Sequence, residues 1–257
     1  MNRIKQAFEK KKAFIAFITC GDPDMETTEK VVLAAAENGA DIIELGIPFS
    51  DPTAEGPVIM EADGRALEAG TTTDDVFRLT KRLREKLDIP LLYMTYANVI
   101  FSYGTERFAE RAGEAGIDGV ILPDVPFEEK EEFEPAFSAC GIDLISMIAP
   151  TSENRILKIS SEAKGFLYLV SSLGVTGTRT NITTDIGAMT ALVRKSSSVP
   201  CAVGFGISTP EQAEKMAGLA DGVIVGSAIV KIIAACGRES AEPVGQYVRQ
   251  MADAVHR

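Results

Sequence analysis

Asp41 to Pro57 reads DIIELGIPFSDPTAEGP, and the fold turns on how that stretch divides. Ile42 to Leu45 is a short apolar run with β-branched residues, and the Gly, Pro, Ser and Asp that follow forbid its continuation. It reads as a buried strand that empties into a long loop. The turn leading into it recurs along the chain, as NGADIIEL at 38–45, AGIDGVIL at 115–122, CGIDLISM at 140–147 and LADGVIVG at 219–226. A Gly-Ala-Asp type of turn before a short strand is the return from a helix, so the chain alternates helix and strand.

Outward from there, β-branched runs occur at Ala13–Thr19, Ile42–Leu45, Leu91–Thr95, Gly119–Leu122, Asp143–Ile148, Phe166–Val170, Cys201–Gly204 and Val223–Val225. Amphipathic segments follow them at Glu26–Asn38, Thr73–Leu87, Thr105–Ala115, Glu128–Ala139, Ser152–Ser161, Thr184–Ser196, Pro210–Gly218 and Glu242–Val255. Eight such units closing on themselves make an α/β fold of the (β/α)₈ TIM barrel type, one domain over residues 1–257, with its active site at the carboxyl ends of the strands. A doubly wound open sheet is the competing arrangement. Ile4, Ala7 and Phe8 form an i, i+3, i+4 stripe on an extra amino-terminal helix that would close the bottom of the barrel. Ser208-Thr-Pro-Glu211 has capping-box spacing with Pro in the first turn, which starts a helix after Gly204-Phe-Gly-Ile.

Glu44 is the anomaly in the opening stretch. A carboxylate inside a core run costs several kcal/mol if unpaired, or is neutralised by a shift of its pKa. Glu55 and Asp51 stand on the loop leaving the same strand end. Three acids converging there suggest proton transfer, whereas a solvated turn with incidental acids accounts for Asp51 and Glu55 but not for Glu44.

Composition removes several alternatives. The 257 residues carry 26 Lys and Arg against 37 Asp and Glu, a formal net charge of −11, which offers no basic surface to nucleic acid or to an anionic membrane. No apolar run approaches the ~20 residues of a membrane span, and the expectation is a cytoplasmic protein. Cys20, Cys140, Cys201 and Cys236 are far apart and read as free buried thiols. The single histidine, His256, is penultimate and reads as a frayed terminal side chain, which removes Ser-His-Asp triads, histidine bases and His-ligated zinc. No metal site is expected. No lysine falls at a strand's carboxyl end, which argues against Schiff-base chemistry.

At the strand ends lie Thr19-Cys-Gly-Asp22-Pro, Tyr96-Ala-Asn98, Pro123-Asp124 and Ser171-Ser172. Asp22 and Asp124, each in a tight turn, read as structural. The other half of the mouth is glycine-rich: Gly174-Val-Thr-Gly177, Gly204-Phe-Gly206-Ile-Ser208 and Gly226-Ser227-Ala-Ile-Val-Lys231, the last opening a short phosphate-binding helix after strand eight. Barrels bind phosphate in this place, through backbone N–H groups and a helix amino end, so an acidic protein can still hold a phosphate ester. Gly204 and Gly206 lack the third glycine of a dinucleotide fingerprint, and there is no Walker A lysine.

Phe17-Ile-Thr-Cys-Gly-Asp22-Pro, Glu44-Leu-Gly-Ile-Pro-Phe-Ser-Asp51-Pro, Tyr96-Ala-Asn98, Asp124-Val-Pro126, Tyr168-Leu and the three glycine motifs together resemble the tryptophan synthase α subunit, in order over the whole chain. The resemblance implies cleavage of indole-3-glycerol phosphate to indole and glyceraldehyde 3-phosphate. It implies Glu44 as general acid and base, and Glu55 as the partner of the indole N–H. Phe17, Met94, Tyr96 and Phe205 would flank the indole, although by periodicity alone each is equally a core residue. Tyr168 would lie near Glu44, Thr176 and Gly177 would belong to the loop that covers the substrate, and Gly204, Gly206, Gly226 and Ser227 would hold the phosphate. The implied partner is a β subunit that uses pyridoxal phosphate, in an αββα complex covering Pro48, Phe49, Asp51 and Asn98; no cofactor is implied for this chain itself.

The chain departs from the family pattern in three places. Glu55 stands where Asp is usual, Ser172 where Arg is common, and Met94 where Leu is common. The extra methylene of Glu55 calls for the loop to withdraw, with Gly56 supplying the backbone freedom. Two other functions stay open on these residues: a barrel that isomerises or epimerises a sugar phosphate, and a catalytically silent subunit that activates a partner.

Overall fold

In the computed structural model, residues 2–9, 11–170, 185–204 and 206–257 are described. Eight strands, β1 (Ala13–Thr19), β2 (Ile42–Gly46), β3 (Leu91–Met94), β4 (Gly119–Ile121), β5 (Asp143–Ile148), β6 (Leu167–Val170), β7 (Cys201–Gly204) and β8 (Gly222–Val225), run parallel in one closed barrel. β1 pairs with both β2 and β8, which excludes the open sheet.

Closure follows from strands that are apolar on both faces, as parallel strands buried on both sides must be. One set of side chains, Ile15, Phe17, Ile42, Leu92, Ile121, Phe166 and Ile224 among them, fills the barrel interior, while Phe14, Ile43, Tyr93 and Val203 pack beneath the surrounding helices. The Arg3–Glu9 helix plugs the bottom as its stripe predicts: Ile4 is fully buried, and the Phe8 ring lies 5.7 Å from Phe166. Gly119 and Gly222 make room for the plug. A Cβ at Gly222 would lie 3.0 Å from Phe8 Cε1, and one at Gly119 would lie 3.3 Å from Ile4 Cδ1.

The recurring aspartate of the turns has a mechanical role at the bottom of the barrel. Asp41, Asp118 and Asp221 precede β2, β4 and β8, and accept the N–H of Phe14, Leu91 and Cys201 in the neighbouring strand at 2.9, 3.0 and 3.0 Å. Each also meets two basic side chains: Lys11 and His256 at Asp41, Arg3 and Arg84 at Asp118, Lys12 and Arg194 at Asp221. An N–H at a strand's first residues has no strand partner on that side, and these carboxylates satisfy it.

His256 is therefore not frayed. Its Nε2 lies 2.7 Å from Asp41 Oδ2, and its side chain is 19 % exposed. Burial alone would raise the Asp41 carboxyl; hydrogen bonds from His256, the Phe14 N–H and Lys11 outweigh that and hold it below its ordinary range. Of the thiols, Cys20 and Cys201 are buried as expected, whereas Cys140 is half-buried and Cys236 exposed.

Two helices lay outside the periodic segments. Pro57–Glu68 follows the β2 loop with Pro in its first turn, and its buried stripe is Ile59, Ala62, Asp63 and Ala66. The spacing is helical, but the acid within the stripe disguises it. Ala97–Tyr103 is too short for its period to register. The segment expected as one helix over Glu128–Ala139 divides into a 3₁₀ turn, Phe127–Glu132, and a helix, Glu134–Ala139. The capping box lies one residue later than its first reading: Thr209 and Gln212 form it, at the start of a Pro210–Ala217 helix.

Candidate active site

β1 and β2 are in register with Phe17 opposite Glu44, and β2 and β3 with Glu44 opposite Leu92. Side chains alternate along a strand, so Glu44 shares the inward face of Ile42, and its carboxylate comes up inside the barrel near the carboxyl end. A cavity of about 580 Å³, counting its open mouth, lies there. Of the residues singled out in the sequence, Phe17, Glu44, Glu55, Met94, Tyr168, Gly206, Gly226 and Ser227 line it. Sequence reasoning missed Ile59, Ala54, Met147, Ile207 and Ile224, which complete the wall with Pro123, read at the end of its strand. Met147 and Ile224 were legible as inward strand positions, whereas Ile59 sits on the disguised helix.

Glu44 is fully buried, and neither carboxylate oxygen has a hydrogen-bond partner among the described residues. Burial, and then the nearby charge of Glu55, push it up to about 8. At neutral pH it is thus a carboxylic acid, able to give a proton to a group in the cavity and able to take one back once it has done so. Tyr168, on β6, is close enough for the charges of Glu44 and Glu55 to act on its phenol, which burial and those charges push well up.

The glycines explain why the two rings can lie where they do. A Cβ at Gly46 would fall 2.6 Å from Phe17 Cζ, and one at Gly226 would fall 3.3 Å from Phe17 Cβ, so the Phe17 ring is seated between two bare backbones. At Gly204 a Cβ would fall 2.5 Å from the Tyr168 hydroxyl. Gly204 lines no part of the cavity; its missing side chain is the space Tyr168 occupies. Gly206 lines the cavity at φ +88°, a left-handed angle that side chains other than glycine's resist. Gly226 is the N-cap of the Ser227–Cys236 helix, whose first N–H groups open at the cavity rim.

Tyr96 stands behind the wall. It is 4 % exposed, its hydroxyl accepts the Ala54 N–H at 3.1 Å, and its ring stacks on Phe49 with centroids 5.2 Å apart. It thereby holds the loop that carries Glu55, itself only 6 % exposed. Asp22 is bound by Arg65, and Asp124 accepts the Ala97 N–H at 3.1 Å, the structural roles read for them. Gly56 sits at φ −88° and ψ 172°, extended angles open to any residue, so glycine freedom is not what adapts the loop to Glu55. Thr176, Gly177 and Phe205 lie outside the described residues. No group of three or more His, Cys, Asp and Glu side chains that could hold a metal occurs among the described residues.

A closed parallel barrel with two buried carboxyl groups and a phenol lining one cavity at its strand ends has the architecture of a barrel enzyme. Residues 3–256 match the family model of the tryptophan synthase alpha chain. Alpha chains from Lacticaseibacillus casei and Caldanaerobacter subterraneus are 45 % and 51 % identical, over 99 % and 91 % of this chain and 96 % and 91 % of theirs. Among solved structures, subunit alpha from Legionella pneumophila superimposes with TM-score 0.90 at 38 % identity, covering 99 % of this chain and 98 % of that one. Mycobacterium tuberculosis tryptophan synthase gives TM-score 0.90 at 30 % identity, covering 100 % and 99 %. The chain belongs to the tryptophan synthase alpha chain family, and it is a lyase that carries out the family's alpha reaction.

Proposed function

We propose that the substrate is indole-3-glycerol phosphate, cleaved by retro-aldol chemistry to indole and glyceraldehyde 3-phosphate. The observation that carries the reading is Glu44, a fully buried carboxyl on the cavity wall whose two oxygens have no hydrogen-bond partner among the described residues and which burial pushes up to about 8. It donates its proton to indole C3, and the ring becomes an electron sink. The Glu55 carboxylate accepts the indole N–H and offsets the positive charge that develops on the ring. The Glu44 carboxylate then takes the proton of the side-chain hydroxyl next to the bond to be broken. As that oxygen forms its carbonyl, the electrons of the C–C bond return to the ring and indole leaves. Glu44 ends protonated, so the cycle balances without lysine, metal or cofactor on this chain. Phe17 and Met94 flank the ring. The backbone N–H groups around Gly206, Gly226 and Ser227 receive the phosphate.

The partner, on this reading, is a β subunit that uses pyridoxal phosphate to join indole to serine, in an αββα complex in the cytoplasm. Among the described residues no helix is long and apolar enough to cross a membrane. Met60 and Phe101, 47 % and 52 % exposed on the helices that leave β2 and β3, supply apolar surface beside the mouth. Asp51 and Asn98 are exposed there and Phe49 half-buried, but Pro48 is buried and is removed from the contact set.

Indole release from indole-3-glycerol phosphate by the purified chain, alone and with its cognate β subunit, tests the assignment. No release in either case would refute it. Release that survives Glu44→Gln unchanged would move the proton transfer elsewhere.

A further inference from the structure

Ser208 ends the loop that leaves β7, and side chains behind the loop take both polar groups of its backbone. Its N–H donates to the Gln212 side-chain oxygen at 2.9 Å, beside the capping box that opens the Pro210–Ala217 helix. Its carbonyl accepts the Tyr247 hydroxyl at 3.0 Å, from the Ala241–Val255 helix 39 positions further along the chain. That helix is seated by the buried stripe of Val244, Val248, Met251 and Val255, and the Tyr247 ring packs against the same core. A phenyl ring would fill that space as well, so packing does not call for the hydroxyl. Burial pushes the phenol up, so it keeps its proton and stays a donor, and a carbonyl can only accept. Two residues before Ser208, Gly206 sits at φ +88°, and Gly206 and Ile207 both line the cavity. Neither the Gly206 N–H nor the Ile207 N–H meets an acceptor among the described residues.

We propose that Tyr247 is a positioning residue for the phosphate end of the site: by holding the Ser208 carbonyl it fixes the backbone of residues 206 to 208, and so keeps the Gly206 and Ile207 N–H groups where they meet the phosphate of the substrate. The inference rests on the reading that this loop, with the start of the Ser227–Cys236 helix, receives the phosphate. Glycine leaves a backbone free to take other angles, so a loop that must present N–H groups to an anion needs an anchor on its far side. The two bonds to Ser208 are that anchor. Gln212 holds only the N–H, and without the phenol the Ser208 carbonyl loses its one side-chain donor, leaving the peptide between Ser208 and Thr209 to turn. Tyr247 lines no part of the cavity, and it acts on the substrate only through Ser208.

The test compares Tyr247→Phe, Val248→Ala and Gly206→Ala with the wild type in the full chain. It reads kcat and KM for indole release, inhibition by glycerol 3-phosphate as a probe of the phosphate end, inhibition by indole as a probe of the ring end, and thermal midpoint. Tyr247→Phe keeps the ring and removes only the hydroxyl. It should raise KM and the inhibition constant of glycerol 3-phosphate together, by about five- to tenfold, while kcat and inhibition by indole stay within about twofold. Val248→Ala loosens the same helix from its buried stripe and leaves the hydroxyl in place. It should lower the thermal midpoint more than Tyr247→Phe does and leave both inhibition constants as they are. Unchanged glycerol 3-phosphate inhibition in Tyr247→Phe, alongside a weakened one in Gly206→Ala, would overturn the role of Tyr247 and leave the phosphate reading standing. An equal weakening in Val248→Ala would also overturn it, since the effect would then be general loosening of the helix. If neither Tyr247→Phe nor Gly206→Ala alters that inhibition, the phosphate does not bind at this loop, and the phosphate reading falls together with the proposal.

Discussion

Arg65 and Asp22 face one another through two parallel hydrogen bonds, Nε to Oδ1 and Nη2 to Oδ2, each 2.8 Å long. The pair joins the helix after β2 to the end of β1, and so brackets the loop that carries Glu55. Asp22 is 1 % exposed, so removing the guanidinium strands a buried charge. Arg65 is itself partly in solvent, and the loss in Arg65→Met is expected at about 2 kcal/mol, below that of a fully buried pair. Arg65→Lys should recover only part of it, because an ammonium cannot make the two-pronged contact. Urea unfolding of the three proteins measures this.

Glu44→Gln should lower indole release by about 10²- to 10⁴-fold. Its stability should diverge from the wild type in a defined direction. The folded-state carboxyl is raised to about 8, so between the ordinary carboxylate range and about pH 8 the folded state holds a proton that the unfolded state has lost. Wild-type stability from this group is present at low pH and falls as pH rises through that window. The glutamine variant lacks the effect, and should become progressively the more stable of the two from about pH 5 to about pH 8 in parallel denaturation curves. Curves that stay parallel over that window would mean that Glu44 is ionised when folded.

Residue 55 stands on a loop that Tyr96 holds through the Ala54 N–H. Glu55→Ala should nearly silence turnover, and Glu55→Asp should not improve it, since the shorter arm falls short of the ring nitrogen by about one bond length. An alanine variant as active as wild type, in steady-state indole release, would end the catalytic reading of this position while leaving Glu44 untouched.

Gly204→Ala places a methyl where the Tyr168 hydroxyl now lies, 2.5 Å from the new Cβ. The ring must move from its place on the cavity wall. The expected result is a kcat loss of about tenfold or more, with little change in inhibition by glycerol 3-phosphate. Gly206→Ala should do the reverse and raise KM, because the cost falls on the φ +88° backbone at the phosphate end.

Arg84 supplies a control far from the mouth. It spans the bottom of the barrel, donating to the carbonyls of Gly116, Leu87 and Ile89 at 2.8 to 3.0 Å and to Asp118 at 2.7 Å. Arg84→Met should cost about 3 kcal/mol in chemical denaturation, because it leaves three carbonyls without their donor and a mostly buried carboxylate with Arg3 as its one remaining cation. Kinetic constants measured well below its melting temperature should match wild type.

The eight strands, their closure into a barrel, and the site at their carboxyl ends were legible because binary pattern and turn chemistry are local. Ile42 to Leu45 can only be a buried strand, and Gly39-Ala40-Asp41 can only be a return. Glu44 announced itself for the same reason, as a charge where the pattern demands an apolar side chain. The glycine motifs marked one side of the cavity mouth, although the pattern could not separate Gly206, which lines the cavity, from Gly204, whose absent side chain makes room for Tyr168. That distinction depends on which strand lies opposite, and no local period carries it.

Tertiary structure alone decided the rest. Asp63 belongs to a helix whose stripe it interrupts, and only the fold shows that it is buried. His256 has no local reason to be ordered, and is held by Asp41 from 215 positions away. The sequence by itself determined what each segment is and which side of it is buried, because hydrophobic periodicity fixes both. Which buried groups face each other, and hence that Glu44 and Glu55 share one cavity where burial pushes a carboxyl up to about 8, is set by closure of the barrel, since desolvation and charge act through space and not along the chain.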